Sequence, residues 1–389
     1  MQITLPTFLM KTFFYISLSL FILTLIFFGV YHFAYRNNPL DPKTGANDTN
    51  APAENNFTNK PASSAPISKI EAVIKEKNIG AIALNEKELA YFSTEGRSLK
   101  KLSLENQESS ILIDRLPGTP VEAIWSNNRN QSLALLENNG LRWHLLTLSS
   151  GSILPLKENL KYPTFSHLGD KIFYQYTTAS GTASINISNP DGSDWKELVA
   201  LATKNVFTAP IPKSSDVSFW NRPNGLEKSL FQATSFSGSN TRTLLSDRFG
   251  GDYLWSPDGE KVLVSSTQEK GTSKITLATI NKNGGEFRSL VIPTIVSKAA
   301  WSLDGKILYY ALPGSLPDNV VLPNDYFSKK LLTTDTFWKL DFETGKRDRL
   351  MEGSDIGIEF DSTDLFLSAK GDVLYFLNRR DGKTYRVPL

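Results

Sequence analysis

Apolar residues are distributed in two ways along this chain of 389 residues. From Thr12 to Tyr35 they run almost unbroken. From Ser68 onward they come in short runs that alternate with polar positions and stop at Gly, Asp, Asn, Pro or Ser. Alternation with period two marks strands buried on one face, and helical spacing is nowhere sustained after the first apolar run. The stretch LWSPDGEKVLVSS, Leu254 to Ser266, shows the recurring unit: an apolar approach, a four-residue turn and a second apolar run. It predicts a β-hairpin.

The same plan recurs in VEAIWSNNRNQSLALL, YPTFSHLGDKIFYQY, FTAPIPKSSDVSFW, KAAWSLDGKILYYAL and DLFLSAKGDVLYFLN, with a degenerate copy in GAIALNEKELAYFS. Anchors at Leu84, Trp125, Phe165, Pro210, Trp255, Trp301 and Leu367 are separated by 41, 40, 45, 45, 46 and 66 residues. A second turn follows most copies, as in LSSGSIL, SNPDGSDWKEL and DFETGKRDRL. Two hairpins in 40 to 46 residues is the period of a propeller blade. The expected fold is all-β: a seven-bladed β-propeller of four-stranded blades over residues 68–389. The last copy has only three strands before the chain ends, while SKIEAVIKE precedes the first copy without a blade of its own. That N-terminal strand is expected to complete the last blade and remove an open edge.

The turn copies WSPDGEKVLV, WSLDGKILYY, FSHLGDKIFY and NPDGSDWKEL resemble the WD40-like, PD40-type repeats of the Tol-associated periplasmic propeller family (TolB-like). These repeats also occur in prolyl-oligopeptidase-type peptidases. The resemblance covers nearly all of the chain after residue 68 and implies the propeller fold, not an activity. It departs from the Tol protein in having an apolar N-terminal run and no recognisable N-terminal α/β domain.

The run from Thr12 to Tyr35 carries no formal charge beyond a possible one on His32, is flanked by Lys11 and Arg36, and is long enough to cross a bilayer of about 30 Å. It reads as an uncleaved signal anchor, residues 12–35, after a short tail, residues 1–11. Residues 36–67, rich in Pro, Asn, Ala, Thr and Ser, read as a flexible tether. The propeller is therefore expected outside the cytoplasm on a single-pass anchor.

A net charge of +2 gives no nucleic-acid signal, and the absence of cysteine excludes disulfides and thiolate chemistry. The histidines are His32, His144 and His167, too few for the usual imidazole metal cluster, so no metal and no cofactor is expected. There is no G-x-S-x-G elbow, phosphate loop or dinucleotide fingerprint. SNPDGSDW reads as a hairpin turn rather than a sialidase-type box, and Asp247 with Asp252 in SDRFGGDY reads as turn chemistry rather than a cation site.

The long interval between Trp301 and Leu367 contains an insertion, Leu312 to Thr336, between the second and third strands of the sixth copy. Its place in an up-and-down sheet puts it at the end of the propeller that also carries the blade-to-blade connections. Asp318, Asn324, Asp325, Tyr326 and Phe327 make it a candidate binding surface, the alternative being a lid packed for stability. The expected function is binding or scaffolding of an envelope protein, peptide or glycan. The alternative is a glycan-active hydrolase or lyase centred on the channel, which acidic and Arg side chains converging there from several blades would favour; a structural spacer is the third option.

Overall fold

A computed structural model of the chain describes residues 70–351 and 359–389. All its strand pairs are antiparallel, and the first strand, β1 (Glu71–Ile74), sits apart from its neighbours in sequence. Blade 1 follows as β2 (Asn78–Ala83), β3 (Glu88–Ser93), β4 (Ser98–Ser103) and β5 (Ser109–Ile113). Blade 2 is β6 (Thr119–Trp125), β7 (Gln131–Glu137), β8 (Leu141–Thr147) and β9 (Ser152–Pro155). Blade 3 is β10 (Leu160–Phe165), β11 (Ile172–Thr177), β12 (Ala183–Ser188) and β13 (Lys196–Leu201). Blade 4 is β14 (Val206–Pro210), β15 (Asp216–Asn221), β16 (Lys228–Ser235) and the first part of β17 (Arg242–Trp255). β17 then runs on to become the first strand of blade 5, with β18 (Lys261–Thr267), β19 (Thr276–Asn281) and β20 (Arg288–Ile292).

Blade 6 is β21 (Ala299–Trp301), β22 (Ile307–Pro313), β23 (Asp335–Asp341) and β24 (Arg347–Arg349). Blade 7 has β25 (Ser362–Leu367), β26 (Val373–Asn378) and β27 (Lys383–Pro388), and its fourth strand is β1, paired Glu71 to Arg386 and Ala72 to Tyr385. The ring closes as the strand count in the sequence required. First strands touch one another from blade to blade, β2 against β6, β10 against β14 and β21 against β25, so they surround the central axis.

The core lies between blades rather than within one layer. Trp220 and Phe231 of blade 4 pack with Trp255, Val262 and Val264 of blade 5, and Phe337 of blade 6 packs with Phe376 and Tyr385 of blade 7. Trp255 donates to Ser218 Oγ at 2.9 Å, Trp301 to the Leu254 carbonyl at 3.3 Å and Trp125 to the Gly80 carbonyl at 2.7 Å. Each indole thus ties an inner strand to the preceding blade, burying its ring while satisfying its N–H.

The WSPDG turn works through its serine. Ser256 Oγ donates to Asp258 Oδ1 at 2.5 Å and accepts from the Lys261 N–H at 3.0 Å, while the Gly259 N–H closes on the Ser256 carbonyl. Ser126, Ser166, Ser302 and Ser368 repeat this arrangement in blades 2, 3, 6 and 7. Gly259 has φ +76, and a Cβ there would lie 2.3 Å from the Pro212 carbonyl oxygen of blade 4, so glycine is required on both counts.

Two boundaries differ from the sequence reading. The inner strand of blade 1 ends at Ala83, one residue before the anchor Leu84. Leu312 and Pro313 extend β22, and Asp335 and Thr336 open β23, which leaves 314–334 as the insertion proper. Among the described residues no helix is long and apolar enough to cross a membrane. The expected tail, anchor at 12–35 and tether at 36–67 lie outside those residues.

Candidate functional site at the insertion face

The insertion is a packed lid rather than an open loop. Val320, Leu322, Tyr326 and Leu331 are buried together with Ile275 and Ile295 of blade 5 and its exit. A one-turn helix, α1 (Asn324–Phe327), then reaches back over blade 4, where Asn324 donates to Asn224 Oδ1 and accepts from the Gly225 N–H, both at 2.7 Å. Gly225 permits this approach, because a Cβ there would lie 2.3 Å from the Leu322 carbonyl oxygen. The Leu322 N–H donates to the Thr272 carbonyl of blade 5 at 3.1 Å, and Arg379 of blade 7 donates to the Tyr326 carbonyl at 2.7 Å. The insertion therefore bridges blades 4 to 7 across the loops that follow their second strands.

What fastens it is a buried charge cluster. Lys298, 1% exposed, lies in a 3-10 turn before β21 and donates to Asp335 Oδ2 at 2.6 Å, Asp361 Oδ1 at 2.9 Å, Thr333 Oγ1 at 2.9 Å and the Ser362 carbonyl at 2.8 Å. Arg379 completes the pairing at Asp361 Oδ2, 3.0 Å away. The Tyr326 ring lies under both cations, 4.7 Å from Lys298 and 3.8 Å from Arg379. Burial alone would lower the Lys298 pKa, but the charges of Asp335 and Asp361 hold it above its ordinary value. The lysine is thus charged and matched.

Beside α1 lies a cleft of about 840 Å³, walled by the exit of blade 3 from Val199 to Val206, the ends of β15 and β16, and α1 with Lys330 beyond it. Its lining carries four cations, Lys204, Arg222, Lys228 and Lys330, against two carboxylates, Glu227 and Asp325. Lys228 is paired with Asp247 at 3.0 Å; among the described residues the other three cations have no carboxylate partner. Asn205 links the cleft to the channel, accepting from the Tyr162 hydroxyl at 3.4 Å.

Tyr162 belongs to a ring of equivalent positions. Three residues before the end of each inner strand stand Gly80, Glu122, Tyr162, Phe207, Asp252, Lys298 and Asp364, one from each blade. The β-bulges at or beside this level in β2, β6, β10, β17 and β25 interrupt the ladder. Enclosure pushes the Glu122 carboxyl up to about 7, aided by the charge of Asp364, and pushes Asp252 up to about 6. Asp364 is raised for the same reason.

Of the residues expected at the binding surface, Asn324, Asp325 and Phe327 line the cleft. Tyr326 is buried in the lid, and Asp318 is exposed and away from the cleft. Asp247 and Asp252 have separate partners, Lys228 and the Trp220 indole. His144 contacts the Arg142 carbonyl, and His167 contacts Asn127 in a turn. Among the described residues no group of three or more His, Asp or Glu side chains is placed to hold a metal ion. Sequence reading missed the Lys298 cluster and the cleft cations; the carboxylates at the axis could have been found by aligning the inner strands three residues before their ends.

No protein-family model matches the chain. No curated protein matches it either. Its fold is similar to that of an oligogalacturonate lyase in complex with manganese, at a TM-score of 0.61 and 11% identity, over 83% of this chain and 94% of that one. It is also similar to the Cps50 (Swd1) β-propeller domain of Myceliophteria thermophila, at a TM-score of 0.54 and 8% identity, over 82% and 99%. These likenesses establish a β-propeller and extend no further than fold. TolB from Acinetobacter baumannii overlaps at a TM-score of 0.46 and 14% identity, over 69% and 64%, too slight to bear on kinship.

Proposed function

We propose that the chain is a membrane-tethered, extracytoplasmic binding module that holds an envelope component in the cleft beside α1. The cleft itself carries this reading: it has the size of a ligand site, it is bounded by three separate elements, and three of its four cations are left without a carboxylate partner among the described residues. The axial carboxylates come singly from blades 2, 5 and 7, whereas free donors gather in the cleft, which favours binding there over chemistry in the channel. The apolar run at 12–35 and the polar stretch at 36–67 supply the anchor and tether of this reading.

A photo-crosslinking residue at Phe327 of the full chain in its native membranes tests the proposal. The expected result is capture of a discrete partner from Phe327 and, with the probe moved to Leu230 on the blade 4 wall of the cleft, capture that is lost when 314–334 is replaced by a short Gly-Ser turn, with the propeller released by protease added outside intact spheroplasts. Capture only from Leu303, exposed on the opposite turn face, would move the binding surface there. Full protection from external protease would reverse the orientation.

A further inference from the structure

Among the charged groups of the cleft that have no ion-pair partner in the described residues, three cations, Lys204, Arg222 and Lys330, stand against the carboxylates of Glu227 and Asp325. Asn205 and Asn224 use their amide oxygens within the protein and leave their NH2 groups free. Lys204, Arg222 and Lys330 add charged donors from three sides: the exit of blade 3, the loop after β15 and the segment after α1. On the acceptor side, Asp325 is already engaged through Oδ2 with the Val321 N–H at 2.8 Å, which leaves Glu227 as the carboxylate without a partner among the described residues. The excess of free cations over free carboxylates favours a ligand that is rich in acceptors and negatively charged.

We infer that the cleft binds an anionic glycan, a short run of saccharide units carrying carboxylate or phosphate. This inference rests on the cleft being the binding seat. A peptide fits less well, because each of its residues brings a backbone N–H that competes for acceptors and adds nothing to answer the three cations. A saccharide hydroxyl can accept from a free amide NH2, while the acid groups answer the three cations. The cleft volume suits a few sugar units rather than a folded partner.

The test is titration calorimetry on the full chain in detergent micelles. The probes are tetramannuronate, a phosphomannan oligosaccharide of similar length, neutral cellotetraose and tetraglutamate. The acidic saccharides are expected to bind, more weakly as salt rises, and whichever of the two binds tighter identifies carboxylate or phosphate as the acid group. Cellotetraose is expected not to bind and tetraglutamate to bind less well. Charge-assisted hydrogen bonds make each cation worth about tenfold in affinity, so R222Q and K330Q should each weaken binding by about that factor. These side chains are solvent-facing, and an unchanged unfolding midpoint would confirm that the variants fold.

Equal binding of cellotetraose, tighter binding of tetraglutamate, or unchanged affinity in R222Q and K330Q overturns the inference. If capture from Phe327 persists in the triple variant K204Q, R222Q, K330Q, the binding seat stands and the anionic glycan falls. If neither capture nor titration gives a signal, both fall together.

Discussion

Glu122 has no hydrogen-bond partner among the described residues, stands on the inner strand of blade 2, and feels the charge of Asp364 on blade 7. Between the two lies blade 1, which contributes only Gly80 at that level, so no cation intervenes there. The Glu122 carboxyl is raised from its ordinary value to about 7, so between about 4.5 and 7 the folded protein holds more protons than the unfolded chain. Stability attributable to this residue is present at low pH and falls as pH rises through that window. Glu122→Gln cannot ionise and escapes the loss. The variant should match the parent at pH 4 and exceed it by about 1 kcal/mol at pH 8, a figure well below the full shift because solvent reaches the carboxyl through the channel. Urea unfolding at the two pH values measures it, and a variant weaker than its parent at pH 8 would show that the carboxylate is stabilised rather than strained.

At the scale of elements, the insertion is held by groups that lie far apart in sequence. Lys298 meets Asp335 and Asp361 across 37 and 63 positions, and Asn324 meets Asn224 across 100. Lys298→Met leaves Asp335 buried without a cation while Asp361 keeps only Arg379, and breaking a buried pair of this kind costs about 3–5 kcal/mol. The insertion should then become more susceptible to limited proteolysis than the blades. A variant within 1 kcal/mol of the parent, with its insertion still protected, would mean that the apolar contacts of Val320, Leu322 and Leu331 suffice alone. The same distances explain what the sequence disclosed. The hairpin turns were legible because Ser256, Asp258 and Gly259 close a turn within five residues, and such chemistry recurs visibly. The insertion was legible as an excess of length, but Tyr326 and Phe327 are adjacent in sequence and opposite in role, one buried between two cations and one in the cleft wall. Only the course of the lid over blades 4 to 7 decides which is which.

The molecule as a whole depends on closure through β1. This strand and the residue just before it add Ile70, Val73 and Ile74 to the clusters between blades 6 and 7 and between blades 7 and 1, and Glu71 of the strand pairs with Arg386. Glu71 lies opposite Arg386, at the end of blade 7 that carries the Ser368 turn, so β1 starts on the face opposite the insertion. Burying three such side chains stabilises by about 5–8 kcal/mol, comparable to the whole stability of many domains. Deleting Ser68–Ile74 from the full chain should therefore cost most of the folding free energy. It also uncovers the outer edge of β27, where Tyr385 and Arg386 lose their partners, and an unpaired edge templates further strands. The expected outcome is a large drop in unfolding midpoint together with self-association by light scattering. A synthetic peptide of residues 68–77 added during refolding should restore both, since it supplies the missing strand without the covalent link. If the deleted chain stays monomeric with an unchanged midpoint, the ring is held by its other inter-blade layers, and closure by β1 adds nothing to stability.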